Sequence, residues 1–316
     1  MISPITLDAL RTLDAIDRRQ SFAAAAEELF RVPSAVSYTI SKLEEDLGVE
    51  LFDRSRRKAV LTPVGRLVLE QGRKILRATD ELTALARQAA EGWETELRIC
   101  IDSVLDAAPV YRLIETFQQL RPKTEIRLSE EVLSGTWDAL NDERCDLVIG
   151  AEGAAPGQGF GTLPLGQVLF EFAVAANHPL TRLPQPLPAS AILDYPTVIV
   201  ADSSRHLPVR SQGLLDGRSR LLVPTIEHKI AAQCQGLGIG YLPRHRIGGL
   251  LASGQLTILT LDAPPRAPID INVAWRKDHS GKALKWFLNQ LQQLRFDTER
   301  GLIPRDDAVA MTGDQP

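Results

Sequence analysis

Cysteine is scarce in this chain. Cys100, Cys145 and Cys234 stand far apart and odd in number among 316 residues, so they spell neither a disulfide framework nor a paired-cysteine metal site. The five histidines, His178, His206, His228, His245 and His279, show no His-x-x-x-His or comparable spacing, and no metal is expected. No eighteen apolar residues occur in a row, and Met1-Ile2-Ser3-Pro4-Ile5 lacks a basic segment followed by an apolar one. Export and membrane anchoring are therefore not expected, and reduced cytoplasm is the natural compartment. A phosphate-cradling Gly-Lys-Ser/Thr loop is missing too. Gly236-Leu237-Gly238-Ile239-Gly240 superficially suggests a dinucleotide loop, but it follows a helical pattern and lacks the third glycine at the required offset, so it reads as a turn into a strand. Cys100 falls within an apolar run and reads as core rather than nucleophile. These absences argue against an enzyme, and no cofactor is expected.

What is present is a long globular chain whose charge is unevenly spread. At 316 residues, 44% hydrophobic and 24% charged, it suits two or three domains with real cores. The net charge of −4 conceals a contrast: residues 1–90 hold 14 Lys/Arg against 13 Asp/Glu, and residues 91–316 hold 22 against 27. Between 54 and 77, Arg54, Arg56, Arg57, Lys58, Arg66, Arg73, Lys74 and Arg77 face the single acid Glu70. Such a local surplus, rather than the total, decides whether a surface attracts phosphates.

The first sixty residues read as three helices and a basic hairpin. Leu7, Leu10, Leu13 and Ile16 give residues 5–19 one apolar face. Ser21 is placed to cap a short alanine-rich helix from Phe22 to Leu29, which Phe30-Arg31-Val32-Pro33 ends. Ser34 is expected to cap a third helix running to Leu47, closed by Gly48. On that helix Val36, Ile40, Leu43 and Leu47 share one side, and Ser34, Ser37, Tyr38, Ser41 and Lys42 lie opposite. A small hydrogen-bonding face with one lysine suits a helix in a major groove of double-stranded DNA. An ordinary amphipathic helix in a three-helix bundle would look the same; the short second helix, the tight turn and the basic segment that follows favour the groove reading. Glu50-Leu51-Phe52 and Ala59-Val60-Leu61 read as two strands joined by a tip whose Arg54, Arg56 and Arg57 meet phosphates or the minor groove.

Thr62-Pro63 then opens a long helix. Val64, Val68, Gln71, Ile75, Ala78, Leu82, Leu85 and Ala89 follow at alternating spacings of 4 and 3, the pattern of a coiled-coil seam. Packing against its own domain is the plainer alternative. Dimerisation is preferred because a two-fold dimer addresses two half-sites.

Taken together, Ser21-Phe22-Ala23-Ala24-Ala25-Ala26 through Ala35-Val36-Ser37, Leu43-Glu44-Glu45-Asp46-Leu47-Gly48-Val49, Leu51-Phe52-Asp53-Arg54 and Leu61-Thr62-Pro63-Val64-Gly65 resemble the head of the LysR-type transcriptional regulators. Arg31-Val32-Pro33-Ser34-Ala35 and Gly92-Trp93-Glu94-Thr95 resemble the YhaJ-like group within that family. One departure stands out: many members carry Gln-Pro before the recognition helix and Ser-Arg inside it, where this chain has Pro33-Ser34 and Ser37-Tyr38. Base preferences of other members therefore do not transfer. The resemblance implies an α/β protein with an N-terminal winged helix-turn-helix (1–62), a linker and dimerisation helix (63–91) and a two-lobed periplasmic-binding-protein-like effector domain (92–300). Lobe I would take about 92–166 and 268–300, and lobe II about 167–267. It implies a homodimer or homotetramer that meets DNA, a small organic effector such as an aromatic or organic acid, and RNA polymerase.

The body after Gly92 carries its own α/β texture. Leu97–Ile101, Glu125–Leu128 and Leu147–Gly150 read as strands, with helices at Val110–Leu120 and Trp137–Asn141. Residues 168–175, 196–201 and 221–223, a helix near 226–235 and the run 238–243 form a second set, and a strand at 269–275 with a helix at 281–295 returns to the first. Sheets of this kind bind ligands beyond the C-terminal ends of their strands, which makes Ser103, Ser134, Ser203 and Thr225 cleft candidates, with Arg205 or His206 available for a carboxylate; plain helix capping by each hydroxyl is the competing role. The tail from Gly301 to Pro316 is expected to be disordered. Two other classes stay open: a solute-binding receptor, which predicts an export segment and no helix-turn-helix, and an architectural DNA-binding protein, which predicts no cleft.

Overall fold

Hydroxyl side chains start three helices of the first unit. In the computed structural model, which describes residues 5–53, 59–120, 123–208 and 219–305, Thr6 accepts the Ala9 N–H at 3.1 Å ahead of α1 (Leu7–Arg19). Ser21 does the same for Ala24 ahead of α2 (Phe22–Glu28). α3 (Pro33–Leu47) begins differently from the sequence expectation. Ser34 is not its cap; Val32 is, with no side-chain bond, and Pro33 takes the first helical position. The cause is local: proline pushes the residue before it out of the helical region, so the helix cannot start earlier, while its own fixed φ and missing N–H suit that first position. Ser34 is left already inside the first turn. Gly48, at φ 67°, closes α3 in the left-handed conformation.

Two short antiparallel strands follow, β1 (Phe52–Asp53) and β2 (Val60–Leu61). The arginines assigned to their tip, Arg54, Arg56 and Arg57, lie outside the described residues. Thr62 then caps α4 (Pro63–Ala90) by accepting the Gly65 N–H at 2.9 Å. Its 28 residues span about 42 Å at 1.5 Å each. Leu13, Ile16, Val36, Ile40, Leu43, Leu51 and Leu69 form the core of this unit. Glycine is required where α4 crosses it: a Cβ at Gly65 would overlap the Leu51 carbonyl, and one at Gly72 would strike Leu10.

The chain divides after Glu91, and Gly92 onwards forms a second compact unit. It begins with β3 (Glu96–Asp102), α5 (Ala108–Leu120), β4 (Glu125–Glu131), α6 (Ser134–Asn141), β5 (Leu147–Glu152) and β6 (Phe160–Val168). It continues through β7 (Phe170–Ala175), β8 (Thr197–Val200), β9 (Arg220–Val223), α7 (Ile226–Cys234), β10 (Gly240–Pro243), α8 (Arg244–Ala252) and β11 (Leu256–Ile258). β12 (Ile269–Arg276), α9 (Lys282–Gln292), β13 (Leu294–Asp297) and β14 (Gly301–Pro304) complete it. The first sheet runs β4-β3-β5-β12-β6, with β3 parallel to β4 and β5 and with β12 antiparallel to its neighbours. β5 is buried along nearly its whole length, as a strand covered on both faces should be. The second lobe pairs β10-β7-β11 antiparallel and β8-β9 parallel, linked by a bridge between Thr197 and Ile239. The chain passes between lobes at Leu169 and again in 263–268.

Three expectations need correcting here. The strand expected over 168–175 breaks at Leu169: β6 belongs to the first sheet and β7 to the second. The closing helix stops at Gln292, three residues short of 295. Its successor β13 pairs with β14, so the segment expected to be structureless from Gly301 begins as a strand, held by the buried Phe296 and Leu302 and by a turn that Gly301 makes at φ 77°. Residues 306–316 lie outside the described residues.

Candidate nucleic-acid interface and effector cleft

α3 presents two unlike sides. Val36, Ile40 and Leu43 are buried to 2% exposure or less and seat the helix on its own unit. Ser34, Ser37, Tyr38, Ser41 and Lys42 are all exposed, Tyr38 at 70%. The Lys42 ammonium lies 3.2 Å from Glu45 and 2.9 Å from Asp46, an exposed arrangement that a phosphate can displace at little expense.

The same helix also carries an acid on its inner side. Glu44 is buried, and its carboxylate accepts the N–H groups of Leu51 at 2.7 Å and Phe52 at 3.2 Å, which ties α3 to the first strand of the hairpin. Glu44→Ala should strand two buried donors and destabilise the first unit by about 2–4 kcal/mol. A lowered melting temperature of that unit, together with loss of DNA affinity, is the expected result; Glu44→Gln, which keeps an acceptor, should retain most of both.

α4 likewise has two sides. Gly65, Leu69 and Gly72 are buried against the first unit. On the adjoining row Val64 (42% exposed), Ile75 (45%), Leu82 (66%) and Leu85 (37%) lie open, and these belong to the heptad seam.

In the second unit a cleft opens beyond the C-terminal ends of β3 and β4, between the lobes. Val104, Leu133, Val168, Phe170, Ile226 and Ile271 make its apolar walls, and Asp102, Ser103, Glu152, Lys229 and Arg266 are its polar members. The Ser103 hydroxyl is buried and has no hydrogen-bond partner. Burial pushes the Asp102 carboxyl up to about 7, against the N–H groups of Val104 (2.8 Å) and Leu133 (3.2 Å) that it accepts. Lys229 is 7% exposed; burial, and then the positive charge of Arg266, bring its ammonium down to about 7. No carboxylate among the described residues forms an ion pair with it. The Arg266 guanidinium lies over the Phe170 ring at 4.1 Å; burial lowers its affinity for the proton and the Glu152 charge opposes that loss.

The cleft is a tied structure. His245 Nε2 lies 3.0 Å from the Val104 carbonyl, and Arg246 donates to the carbonyls of Ser103 (3.1 Å) and Leu105 (2.7 Å). Burial brings His245 down to about 4, so it stays neutral at ordinary pH.

Of the cleft residues expected from sequence, Ser103 alone lines the cavity. Ser134 lies in the first turn of α6, with its hydroxyl 3.4 Å from the Pro208 carbonyl. Ser203 donates to Glu131 at 2.5 Å and accepts the Val132 N–H at 2.8 Å. Arg205 points away: its backbone N–H, with those of His206 and Leu207, is held by the buried Asp138 carboxylate at 2.9–3.1 Å, and its side chain is exposed. His206 is likewise exposed, 3.3 Å from Asp142. Thr225 caps α7 by accepting the His228 N–H. Of the four hydroxyls, Thr225 alone takes the competing role of helix cap, while Ser134 and Ser203 bond to other partners within the protein. Sequence reasoning misses Asp102, Lys229 and Arg266. Lys229 leaves a trace in the sequence, since it stands on the same helical face as Ile226 and beside Ile230, where a solvated lysine would not be placed.

Comparison with known proteins agrees with this division. Residues 7–66 match the family described as bacterial regulatory helix-turn-helix protein, lysR family, and residues 90–295 match the LysR substrate binding domain. The chain is 40% identical over 296 residues to the probable HTH-type transcriptional regulator YhaJ of Escherichia coli K12, covering 92% of this chain and 97% of that protein. It is 36% identical over 291 residues to the uncharacterized HTH-type transcriptional regulator YeeY of the same organism, covering 90% and 92%. The solved structure of a Corynebacterium glutamicum OxyR C206 mutant shares the fold at TM-score 0.57 and 22% identity, covering 92% of this chain and 93% of that one. The chain belongs to the LysR family of transcriptional regulators, with a helix-turn-helix DNA-binding unit followed by an effector-binding unit.

Proposed function

We propose that the chain is a cytoplasmic homo-oligomer, a dimer at the least, paired through the open row of α4. It would place α3 in the major groove of an operator and alter its DNA contacts, and so its action on RNA polymerase, when an organic acid enters the cleft. Ser34, Ser37, Tyr38 and Ser41 face base edges, Lys42 a phosphate, and Arg54, Arg56 and Arg57 the flanking backbone or minor groove. Asp102, Ser103, Lys229 and Arg266 receive the effector's anionic end, and the apolar walls its body. The observation that carries the reading is the seating of α3: Val36, Ile40 and Leu43 inward, Ser37 and Tyr38 outward. The effector acts by population shift, limited by its differential affinity for the two arrangements.

Salt dependence tests the DNA side. Removing one phosphate-binding cation should flatten the slope of log affinity against log salt by about 0.9, so Arg54→Ala with Arg56→Ala should flatten it by roughly 1.8. An unchanged slope and affinity would remove the hairpin from the interface. For the effector side, thermal shift with small acids and their matched amides should stabilise the protein with the acids alone; stabilisation by amides to the same extent would exclude an anionic effector.

A further inference from the structure

The residues of α3 leave out most of the usual readers of purines. Guanine is read by the fork of arginine or by lysine, and adenine by the amide of asparagine or glutamine. α3, Pro33-Ser34-Ala35-Val36-Ser37-Tyr38-Thr39-Ile40-Ser41-Lys42-Leu43-Glu44-Glu45-Asp46-Leu47, contains no arginine, asparagine or glutamine. Lys42, the one cation of the helix, is exposed beside Glu45 and Asp46 and is assigned to a phosphate. Arg31, just before the helix, is bound through both guanidinium nitrogens to Asp8 at 2.9 and 2.7 Å. What α3 offers outward is three serine hydroxyls, which pair with any base, and apolar surface. Val32, at the cap position where a hydroxyl is favoured, is 62% exposed, and Tyr38 is 70% exposed. The major groove carries one apolar mark, the 5-methyl group of thymine.

We infer that the chain selects its half-sites by thymine methyl groups packed against Val32 and Tyr38, not by a bidentate purine contact from α3. This rests on the placement of α3 in the groove. It also explains why an apolar residue stands at the cap of α3: the hydroxyl that would satisfy the helix end is given up for a contact made on DNA.

The experiment uses the full-length protein and a random-sequence DNA duplex library. Sites recovered by selection are resynthesised with uracil for thymine in the α3-facing positions, which deletes the methyl and keeps the base pairing. Affinity should fall about fourfold for each half-site substituted, the factor that one buried methyl is worth, and roughly 15-fold with both. Val32→Ser with Tyr38→Ser should bind thymine and uracil duplexes alike. Tyr38→Phe, which keeps the ring, should preserve the preference. Val32→Ser alone also supplies the missing cap, so reduced discrimination accompanied by a higher melting temperature separates base reading from folding. Equal affinity of the wild type for both duplexes overturns the inference, as does a preference that survives in the double variant; sequence enrichment in either case leaves the groove placement standing. If no sequence is enriched at all, the groove placement fails and the inference with it.

Discussion

Lys229→Met should abolish the response to acids that stabilise the wild-type protein, and the wild type itself should bind them progressively less well as the pH rises above 7. Burial and the neighbouring Arg266 hold the free ammonium down to about 7 against its ordinary 10.5, so the unliganded cleft loses this charge just above neutrality. A carboxylate bound beside Lys229 favours the charged form, and binding must then take up a proton. Affinity therefore falls by up to about tenfold for each pH unit between 7 and the raised value in the complex. Asp102 acts in the same direction, because its carboxyl, pushed up to about 7 by burial, becomes negative over the same range and repels the anion. Asp102→Asn, which keeps the lysine, should bind the acids with only the Lys229 part of the slope. Calorimetry in buffers of different ionisation enthalpy counts the protons taken up; none at pH 8 would remove Lys229 from the site.

The unliganded stability of Lys229→Met supplies a second readout. A buried lysine whose folded value is lowered costs stability fully below pH 7, where both folded and unfolded chains carry the proton, and the cost is relieved between 7 and 10.5 as only the unfolded chain keeps it. Methionine has no such cost. The variant should therefore melt higher than the wild type at pH 7 while losing the effector, a combination that misfolding cannot produce.

The distance between sequence and structure differs sharply along the chain. α4 is legible because eight seam positions repeat over one long helix, and the core face of α3 because Val36, Ile40, Leu43 and Leu47 keep one period. The start of α3 falls two residues earlier than its serine suggests, because the backbone restriction imposed by Pro33 on Val32 outweighs a hydroxyl's preference for the cap. In the second unit the pairing of β6 with β12 joins residues more than a hundred apart, and no local pattern announces it. Sequence points to the ends of β3 and β4, where the cavity opens, but of its four hydroxyl candidates only Ser103 lines that cavity. Serine and threonine at such ends are recognisable, but which of them bond within the protein depends on partners distant in sequence, as Ser203 with Glu131 shows. Lys229 and Arg266 become functional candidates only when burial is known, since a lysine or arginine in sequence is ordinarily a solvated one.

Leu82→Glu with Leu85→Glu should turn the oligomer into monomers and weaken operator binding by about 10²–10⁴, the avidity forfeited when two linked half-sites bind independently. Both leucines lie open, at 66% and 37% exposure, on the row that adjoins the one by which α4 packs on its own unit. That inner row is Gly65, Leu69 and Gly72, a full turn or more before Leu82, so the substitutions leave the first unit's core untouched and its helical content unchanged. In a monomer the exposed leucines are an unfavourable surface; across a two-fold axis they bury each other, and introduced glutamates would face one another instead. Sedimentation of the full-length variant reads the assembly state and fluorescence anisotropy the DNA affinity. A variant that sediments as the wild type does would move the interface off α4; one that is monomeric yet binds the operator undiminished would show that the two half-sites are not read together.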